Sequence, residues 1–204
     1  MAELDTSTRS TCSWPSSDPL MIAYHDREWC VPVHEDRKHF EFFVLDLFQA
    51  GLSWAIVLKK REGFREAFDN FEFEKIASYD EEKIQELLSN EKIIRNQLKI
   101  RATINNARKF LEVREEFGSF DNYIWQFVDQ QTIHNRYTEL SQLPASTSES
   151  DAMSKDLKKR GFKFVGTTIC YAYMQAAGMV NDHMTYCFRY KELNPSTVRY
   201  LKEE

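Results

Sequence analysis

Residues 155–178 read KDLKKRGFKFVGTTICYAYMQAAG and constrain the fold more than any other stretch of the chain. A basic amphipathic segment ends at Gly161, and a second helical segment begins after Gly166. The pattern predicts two helices joined by a tight hairpin, in which glycine lets the backbone turn closely and present its N–H groups to an anion. The alternative is an ordinary turn between helices with a solvated basic face, and this stretch alone leaves both possibilities open.

Local charge favours nucleic acid as that anion. Five of the nine residues 155–163 are Lys or Arg, although the whole chain carries a net charge of -5. Clustered basic side chains attract a phosphate backbone regardless of base sequence, and the dipole of a helix N-terminus adds to the attraction. The acidic total argues against a protein that coats nucleic acid with its whole surface. We therefore expect any contact with DNA to be a local basic patch.

Length and apolar spacing indicate an all-α fold. The chain has 204 residues, 42% of them hydrophobic, which suffices for one domain with a sizeable core or for two small lobes. Apolar residues recur at helical spacing, and no clear alternating strand run or internal repeat is present. We predict a bundle of short helices with irregular connections. The predicted helices are 37–50, 53–58, 80–88, 93–117, 119–127, one that is capped by serines of segment 142–150 and ends at 161, one that starts after 166, and a last turn or two within 182–190.

The two ends and the cysteines bear on organisation and location. We predict a flexible polar leader over residues 1–11, a single domain with two helical lobes over 12–190 and a C-terminal tail over 191–204. The leader has no apolar region of the kind that a secretory signal requires. The longest apolar run, 42–48, is too short to span a bilayer, so no membrane contact is expected. A cytoplasmic protein with reduced thiols is therefore predicted, and a monomer is the simplest expectation.

Four residues near the two ends of the chain form a candidate metal site. His183 and Cys187 lie four residues apart in a segment that we predict to be helical, where both side chains would share one face. Cys12 and His25 would complete a Cys₂His₂ set, which suits tetrahedral zinc. Such a site would join the first and last segments and contribute directly to the folding free energy. The His183–Cys187 pair alone is also explained by a packed cysteine and a hydrogen-bonded histidine.

A second group of residues suits a flat ring. Segment 14–29 holds two indoles and Tyr24, and Trp54 follows a helix break marked by glycine. Such rings can stack on a nucleobase taken out of a duplex. The alternative for each ring is ordinary packing in the hydrophobic core. Asp46 is predicted on the inward side of its helix, where its carboxylate needs a partner: the exocyclic amine of a base, or an internal Arg or His. Leu52 lies on a sharp turn, where it could insert between base steps or pack into the core.

Three long strings and a following cysteine carry a family resemblance. The strings are DPLMIAYHDREW, QAGLSWAIVLKKRE and LPASTSESDAMSKDLKKRGFKFVGTTICYAYMQAAGMVNDH, and the cysteine is Cys187. On these strings the chain, from about Cys12 to Cys187, resembles the 3-methyladenine DNA glycosylase I family of the helix–hairpin–helix superfamily. The resemblance implies a helix–hairpin–helix bundle and a second lobe built from both chain ends around one structural zinc ion. It further implies excision of 3-methyladenine from double-stranded alkylated DNA. No lysine lies at the expected pocket to act as a nucleophile, so we expect a monofunctional enzyme without strand cleavage.

The resemblance also assigns roles to individual residues. The implied zinc ligands are Cys12, His25, His183 and Cys187. The implied base pocket, with Asp46 as its catalytic carboxylate, comprises Trp14, Tyr24, Trp29, Asp46 and Trp54. The implied DNA contacts are Leu52, inserted at the gap in the duplex, and the hairpin residues Arg160, Gly161, Lys163 and Gly166.

Two positions depart from the family pattern. The family has glutamate where this chain has Asp46, whose side chain is one methylene shorter and sets its oxygens about 1.5 Å further back. A hydrogen bond made by glutamate would then need a helix shift or a bridging water. The family has glycine in place of Cys30, whose side chain could narrow the pocket or alter the turn; Cys30 and Cys170 are otherwise interpreted as buried thiols. A DNA-binding module without glycosylase activity and a glycosylase of shifted alkyl-base specificity therefore remain alternatives.

Overall fold

The chain folds mostly as helices, which confirms the prediction from apolar spacing. The computed structural model describes residues 9–194, so most of the expected leader and tail, at 1–8 and 195–204, lies outside the described residues. No helix within 9–194 is both long and apolar enough to cross a bilayer. The α-helices are α1 (Pro19–Arg27), α2 (Asp36–Gln49), α3 (Trp54–Lys59), α4 (Arg61–Ala67), α5 (Phe73–Ala77), α6 (Glu81–Ser89), α7 (Gln97–Phe117), α8 (Phe120–Ile124), α9 (Ser148–Lys159), α10 (Thr167–Ala176) and α11 (Phe188–Leu193).

Side-chain caps fix where several of these helices begin. Asp80 and Ser119 accept hydrogen bonds from backbone N–H groups of the first turns of α6 and α8, as their residue types predict. Thr147 caps α9 and forms a capping box with Ser150, so threonine takes the place expected for a serine. Asn96 caps α7, so that helix begins at Gln97, four residues later than predicted.

Segment 182–190 differs from the helix that we expected. Val180–Asn181 (β2) is extended and pairs in parallel with Ile133–His134 (β1), and α11 begins only at Phe188. Between them the chain makes a turn, in which the Cys187 N–H donates to the Met184 carbonyl at 2.7 Å. The prediction that His183 and Cys187 share a helix face is therefore wrong, because the extended pairing delays the helix.

Helix α2 is the centre of the core. Every residue from His39 to Phe48 is buried, and α2 contacts α3, α7, α8 and α10. Helix α10 also packs on α9, so the hairpin between α9 and α10 is anchored to the central helix. The core therefore connects the two regions that the sequence associates with a base and with phosphate.

A buried ion-pair network fixes the end of α1 against α2 and α4. The Arg61 guanidinium donates to Glu41 at 2.8 Å and to both oxygens of Glu28 at 2.7 Å. Burial alone would raise the pKa of Glu41, but Arg61 and Lys38 outweigh it and lower that pKa to about 2. The network holds Glu28, and with it the neighbouring Trp29, in a defined position.

Candidate functional site

An aromatic cavity of about 230 Å³ lies between α1, the start of α3, α2 and α10. All five residues predicted for a ring pocket line it. They are Trp14, Tyr24, Trp29, Asp46 and Trp54. Leu140 and Leu143, from the connection before α9, form part of the wall, and neither was singled out from the sequence. A cavity with these walls suits a flat, mostly apolar ligand with a few polar atoms.

The rings of the cavity meet at steep angles. Trp14 and Trp29 have centroids 4.9 Å apart at 70°, and Tyr24 and Trp54 have centroids 5.0 Å apart at 49°. Neither pair is stacked face to face. The cavity wall thus offers a planar ligand aromatic rings to pack against.

Three buried polar atoms of the cavity residues lack a hydrogen-bond partner within 9–194. They are Trp14 Nε1, Trp54 Nε1 and Asp46 Oδ2. Buried polar groups in proteins are nearly always paired, and unpaired ones call for an explanation. All three atoms belong to side chains that line a single cavity, so a polar ligand bound there would be placed to pair them.

Asp46 projects from α2 into this cavity and is only 4% exposed. The alternative of an internal partner is not realised, since its carboxyl group makes no ion pair with Arg or His in the described part of the chain. Burial raises the pKa of Asp46 well above its ordinary value. The carboxyl is thus held in an environment that favours its neutral form until a ligand supplies a partner.

A second cavity of about 230 Å³ adjoins the first and shares Asp46 with it. Gly51 and Leu52 line one side, and Thr168 and Ile169, at the start of α10, line the other. Leu52 is 38% exposed, as expected for a residue on a sharp turn that is not packed into the core. Asp46 therefore lies where an open surface groove meets the aromatic cavity.

Lys99 of α7 supports the turn that carries Leu52. Its Nζ donates to the carbonyl oxygens of Phe48 at 2.9 Å and Ala50 at 2.6 Å. These carbonyls end α2 and have no further helical N–H to accept from. Burial lowers the pKa of Lys99. Sequence reasoning missed this lysine, because its pattern position does not differ from that of a surface lysine.

The hairpin between α9 and α10 spans residues 160–166. Helix α9 ends at Lys159, Gly161 has a φ of 90°, and α10 begins directly after Gly166. Asn106 of α7 donates to the Lys163 carbonyl at 2.9 Å and accepts from the Lys163 N–H at 2.8 Å. Asn105 donates to the Gly161 carbonyl at 2.9 Å. Both asparagines were missed, since only the fold brings α7 to the hairpin.

The charges of the hairpin are distributed differently from expectation. Arg160 donates to Glu116 and Asp156, and its guanidinium lies over the rings of Phe117 and Tyr123. Each of its three guanidinium nitrogens thus donates to a carboxylate of the protein. Four exposed lysines of α9 and the hairpin, in contrast, have no carboxylate partner among residues 9–194. They are Lys155, Lys158, Lys159 and Lys163.

The candidate metal ligands from the two ends of the chain meet in the interior. Cys12, His25, His183 and Cys187 are all buried, and their ligand atoms lie within 4.8 Å of one another. His25 Nε2 is 3.1 Å from His183 Nδ1, and Cys187 Sγ is 3.6 Å from His25 Nε2. A hydrogen bond from the Cys12 thiol lowers the pKa of Cys187, with contributions from both histidines. This set could hold a metal ion.

Each histidine of the cluster is oriented by an acceptor on its other ring nitrogen. His25 Nδ1 lies 2.6 Å from an Asp26 oxygen, and His183 Nε2 lies 3.1 Å from the Trp29 carbonyl. Acceptors in these places fix which nitrogen faces the cluster. The cluster also adjoins the cavity, because the Trp29 ring centroid is 4.7 Å from that of His183.

Comparison with solved structures agrees with this architecture. A crystal structure of 3-methyladenine DNA glycosylase I superposes with a TM-score of 0.86 at 52% identity, covering 88% of this chain and 98% of that one. A structure described as the basis of 3-methyladenine recognition by 3-methyladenine DNA glycosylase I from Staphylococcus aureus gives a TM-score of 0.85 at 32% identity, covering 87% and 95%.

Sequence comparison leads to the same class of protein. A family model described as methyladenine glycosylase matches residues 14–190. The chain is also 50% identical, over 184 residues, to DNA-3-methyladenine glycosylase 1 of Escherichia coli, a match that covers 90% of this chain and 98% of the relative. The chain belongs to the methyladenine glycosylase family, which confirms the resemblance drawn from its sequence strings.

Proposed function

We propose that the protein is a DNA glycosylase that hydrolyses the N-glycosidic bond of 3-methyladenine in alkylated double-stranded DNA. The observation that carries this proposal is the unpaired, buried carboxyl of Asp46 in an aromatic cavity that opens to a surface groove. A stacked base is covered by its neighbours, so it can enter the cavity only after rotating out of the duplex. We further propose that the protein acts in the cytoplasm, where it has access to DNA, and that it is a monomer.

The chemistry asks little of the protein beyond position. A 3-methylated adenine nucleoside is cationic, so its base leaves readily as a neutral molecule once water attacks the sugar carbon. Tyr24 and Trp54 stack on the base and Asp46 holds its polar edge, which fixes the sugar bond in reach of water. Among residues 9–194, those that line the cavity include no lysine to form a covalent intermediate with the sugar. We therefore infer a monofunctional enzyme that does not cleave the strand.

The α9–α10 hairpin supplies the DNA contact in this proposal. The backbone amide of Gly166 and the ammonium group of Lys163 bind phosphate, and Gly161, whose N–H donates to the Lys158 carbonyl at 3.0 Å, shapes the turn that presents them. Arg160 stiffens the hairpin from within through its hydrogen bonds to neighbouring carboxylates. Leu52, on the opposite side of the groove, inserts where the base has left the stack. On this assignment α9, the hairpin and α10 form a helix–hairpin–helix unit.

A single structural zinc ion fits the Cys₂His₂ cluster. Zinc bonds of 2.0–2.1 Å to nitrogen and 2.3 Å to sulfur imply tetrahedron edges of about 3.3 Å between nitrogens and about 3.6 Å between nitrogen and sulfur. The corresponding distances here are 3.1 Å and 3.6–3.8 Å. Cys12, His25, His183 and Cys187 would hold the ion and so tie the two chain ends into one lobe. Four protein ligands complete the coordination, so the ion supplies stability rather than reactivity.

A shift in substrate range is the second candidate function. The observation that favours it is the short side chain of Asp46, whose carboxyl reaches no partner and leaves space at the junction of the two cavities. A base with a larger alkyl group than methyl could use that space. A DNA-binding module without activity would need the cavity to serve no ligand, which its unpaired donors and acceptor argue against.

The direct test is release of free base from methylated duplex DNA. We expect the wild-type protein to release 3-methyladenine without strand cleavage, and Asp46→Asn to release it about 100-fold more slowly, because the carboxylate that can balance the cationic base is gone. Asp129→Asn removes an exposed carboxylate outside the cavity and should keep the wild-type rate. Duplex binding without base release would contradict the proposal, and release of only larger alkyl bases would favour the second candidate.

A further inference from the structure

We propose that Gln175 is a specificity-determining residue, whose amide oxygen accepts a hydrogen bond from the exocyclic amine at C6 of the adenine ring. The inference rests on the proposed function, since it concerns the same cavity. Gln175 lies near the end of α10 and lines the aromatic cavity together with Asp46 and Tyr24. No sequence pattern marked it, because a glutamine near a helix end is commonly a solvated side chain.

The orientation of the Gln175 amide is dictated by its neighbour Asp182. Gln175 Nε2 donates to Asp182 Oδ2 at 2.8 Å, and Asp182 is fully buried. The same carboxylate accepts from the Tyr171 hydroxyl at 2.6 Å and from Asn135 Nδ2 at 2.7 Å. A carboxylate that accepts hydrogen bonds from three donors has no hydrogen to donate to an amide oxygen. The amino group of Gln175 must therefore face it. The oxygen Oε1 is then the atom left for a ligand.

Gln175 Oε1 has an unused hydrogen-bonding capacity and a restrained position. It has no hydrogen-bond partner within residues 9–194, and it is not one of the buried unpaired atoms, so it remains accessible. The backbone of the residue is fixed as well, because the Cys30 N–H donates to the Gln175 carbonyl at 2.8 Å. Because the side-chain amide and the backbone of Gln175 are both held by hydrogen bonds, Oε1 can bind a donor with little loss of conformational freedom.

This acceptor separates amino from keto purines. The amine at C6 of adenine carries two hydrogens, so it can donate to Gln175 Oε1 as well as to Asp46. A keto oxygen at C6 would instead place its lone pairs against those of Gln175 Oε1, and neither acceptor would gain a hydrogen bond. One such mismatch corresponds to a difference in affinity of about 10- to 100-fold. The indole N–H groups of Trp14 and Trp54 remain for ring nitrogens, which both kinds of base possess.

The test compares two free bases, 3-methyladenine with an amine at C6 and 3-methylhypoxanthine with a keto oxygen there. Titration calorimetry with the full zinc-loaded chain should show wild-type preference for 3-methyladenine by at least about tenfold. Gln175→Met keeps the length of the side chain and removes the amide, so the preference should fall to about threefold or less. Gln126→Met makes the same change at an exposed position and should keep the wild-type ratio.

A second variant tests orientation rather than mere presence of the amide. Asp182→Asn offers an amide in place of the carboxylate, which lets the Gln175 amide rotate and present its amino group to the cavity. The preference should then move toward 3-methylhypoxanthine, a change that a purely structural role would not produce. Zinc content and melting temperature are measured alongside, because Asp182 precedes the cluster residue His183.

The outcomes distinguish this inference from the proposed function. A wild-type ratio in Gln175→Met with normal zinc content would overturn the role of Gln175 and leave the glycosylase proposal standing. No release of 3-methyladenine from DNA by the wild-type protein would overturn the proposed function itself, whatever the calorimetry shows. Loss of the preference in Gln175→Met, together with its shift in Asp182→Asn, is the expected result.

Discussion

Tyr24 and His25 are consecutive residues of α1, and each belongs to a different candidate site. The Tyr24 ring lies 5.0 Å from that of Trp54 in the aromatic cavity, whereas His25 Nε2 lies 3.1 Å from His183 Nδ1 in the cysteine–histidine cluster. Consecutive side chains of an α-helix point about 100° apart, so one helical turn can serve both sites. Disturbance of the cluster is therefore transmitted to the wall of the cavity within a single peptide unit.

Removal of one cluster thiol should lower zinc content and stability together. We expect Cys187→Ala to lose bound zinc and about 3 kcal/mol or more of unfolding free energy, because the binding energy of a structural ion is part of the folding energy. Metal analysis and scanning calorimetry measure the two quantities. Cys170→Ala removes a buried thiol outside the cluster and should keep the ion. Unchanged stability in a zinc-free Cys187→Ala protein would refute the assignment.

Loss of the Lys163 ammonium group should weaken binding to duplex DNA without changing the affinity for free base. We expect Lys163→Ala to bind every duplex sequence more weakly and to reduce the slope of log affinity against log salt by about 0.9, the value for one phosphate contact. Fluorescence anisotropy at several salt concentrations measures both. Lys92→Ala, whose ammonium pairs with Glu66, is the matched control and should leave the slope unchanged. Weaker binding of free base with normal duplex binding would show that the hairpin is misassigned.

The buried carboxyl of Asp46 should make stability fall as pH rises. Burial raises its folded-state pKa above the unfolded value of about 3.9. Its contribution is therefore fully present below pH of about 4 and is lost as pH rises through the raised pKa. Asp46→Asn is uncharged throughout, so it should gain stability relative to wild type between pH 5 and pH 8. Urea unfolding at both pH values gives the comparison, and a difference that does not change with pH would count against a buried, unpaired acid.

Two glycines with similar backbone angles should respond very differently to alanine. A Cβ at Gly178, which has a φ of 69°, would lie 2.3 Å from backbone atoms of Val31 and Pro32. We expect Gly178→Ala to lose about 3 kcal/mol or more, since backbone must move to relieve the clash. Gly51→Ala also requires a positive φ but meets nothing within 4 Å, so about 1 kcal/mol is expected. Thermal unfolding measures both, and equal losses would contradict the steric explanation.

Local signals in the sequence were sufficient for much of the fold. The helices follow from apolar spacing and from caps such as Asp80 and Ser119, whose effect depends on neighbouring residues alone. The hairpin is equally local, since Gly161 and Gly166 mark its two ends. The family resemblance pointed to a cavity and a cluster, and the folded chain brings both sets of side chains together.

Features that depend on distant partners were not predictable in this way. The turn from His183 to Cys187 replaces a helix because β2 pairs with β1, which lies far upstream in the chain. Lys99, Asn106 and Gln175 have ordinary sequence surroundings, and only the fold shows which carbonyl or carboxylate each one meets. Their contributions are contacts between elements, for which hydrophobic periodicity carries no signal.

The departure at Cys30 has a different consequence from the one expected. Its φ is 63°, a region that glycine adopts more easily, so the turn is kept despite a side chain. The Cys30 sulfur accepts from the Asp182 N–H at 3.4 Å, and Cys30 is not among the residues that line the cavity. The thiol therefore packs beneath the residue that orients Gln175 and does not narrow the cavity.

Three of the four tryptophans of the chain line the aromatic cavity, and the fourth, Trp125, is buried beside His34, with its N–H bonded to the Val33 carbonyl. Emission from an indole changes when a flat ring settles against it, whereas an indole enclosed elsewhere keeps a steady background. Intrinsic tryptophan fluorescence therefore reports whether the cavity is occupied, and the rates of ligand association and dissociation can be measured with unlabelled protein.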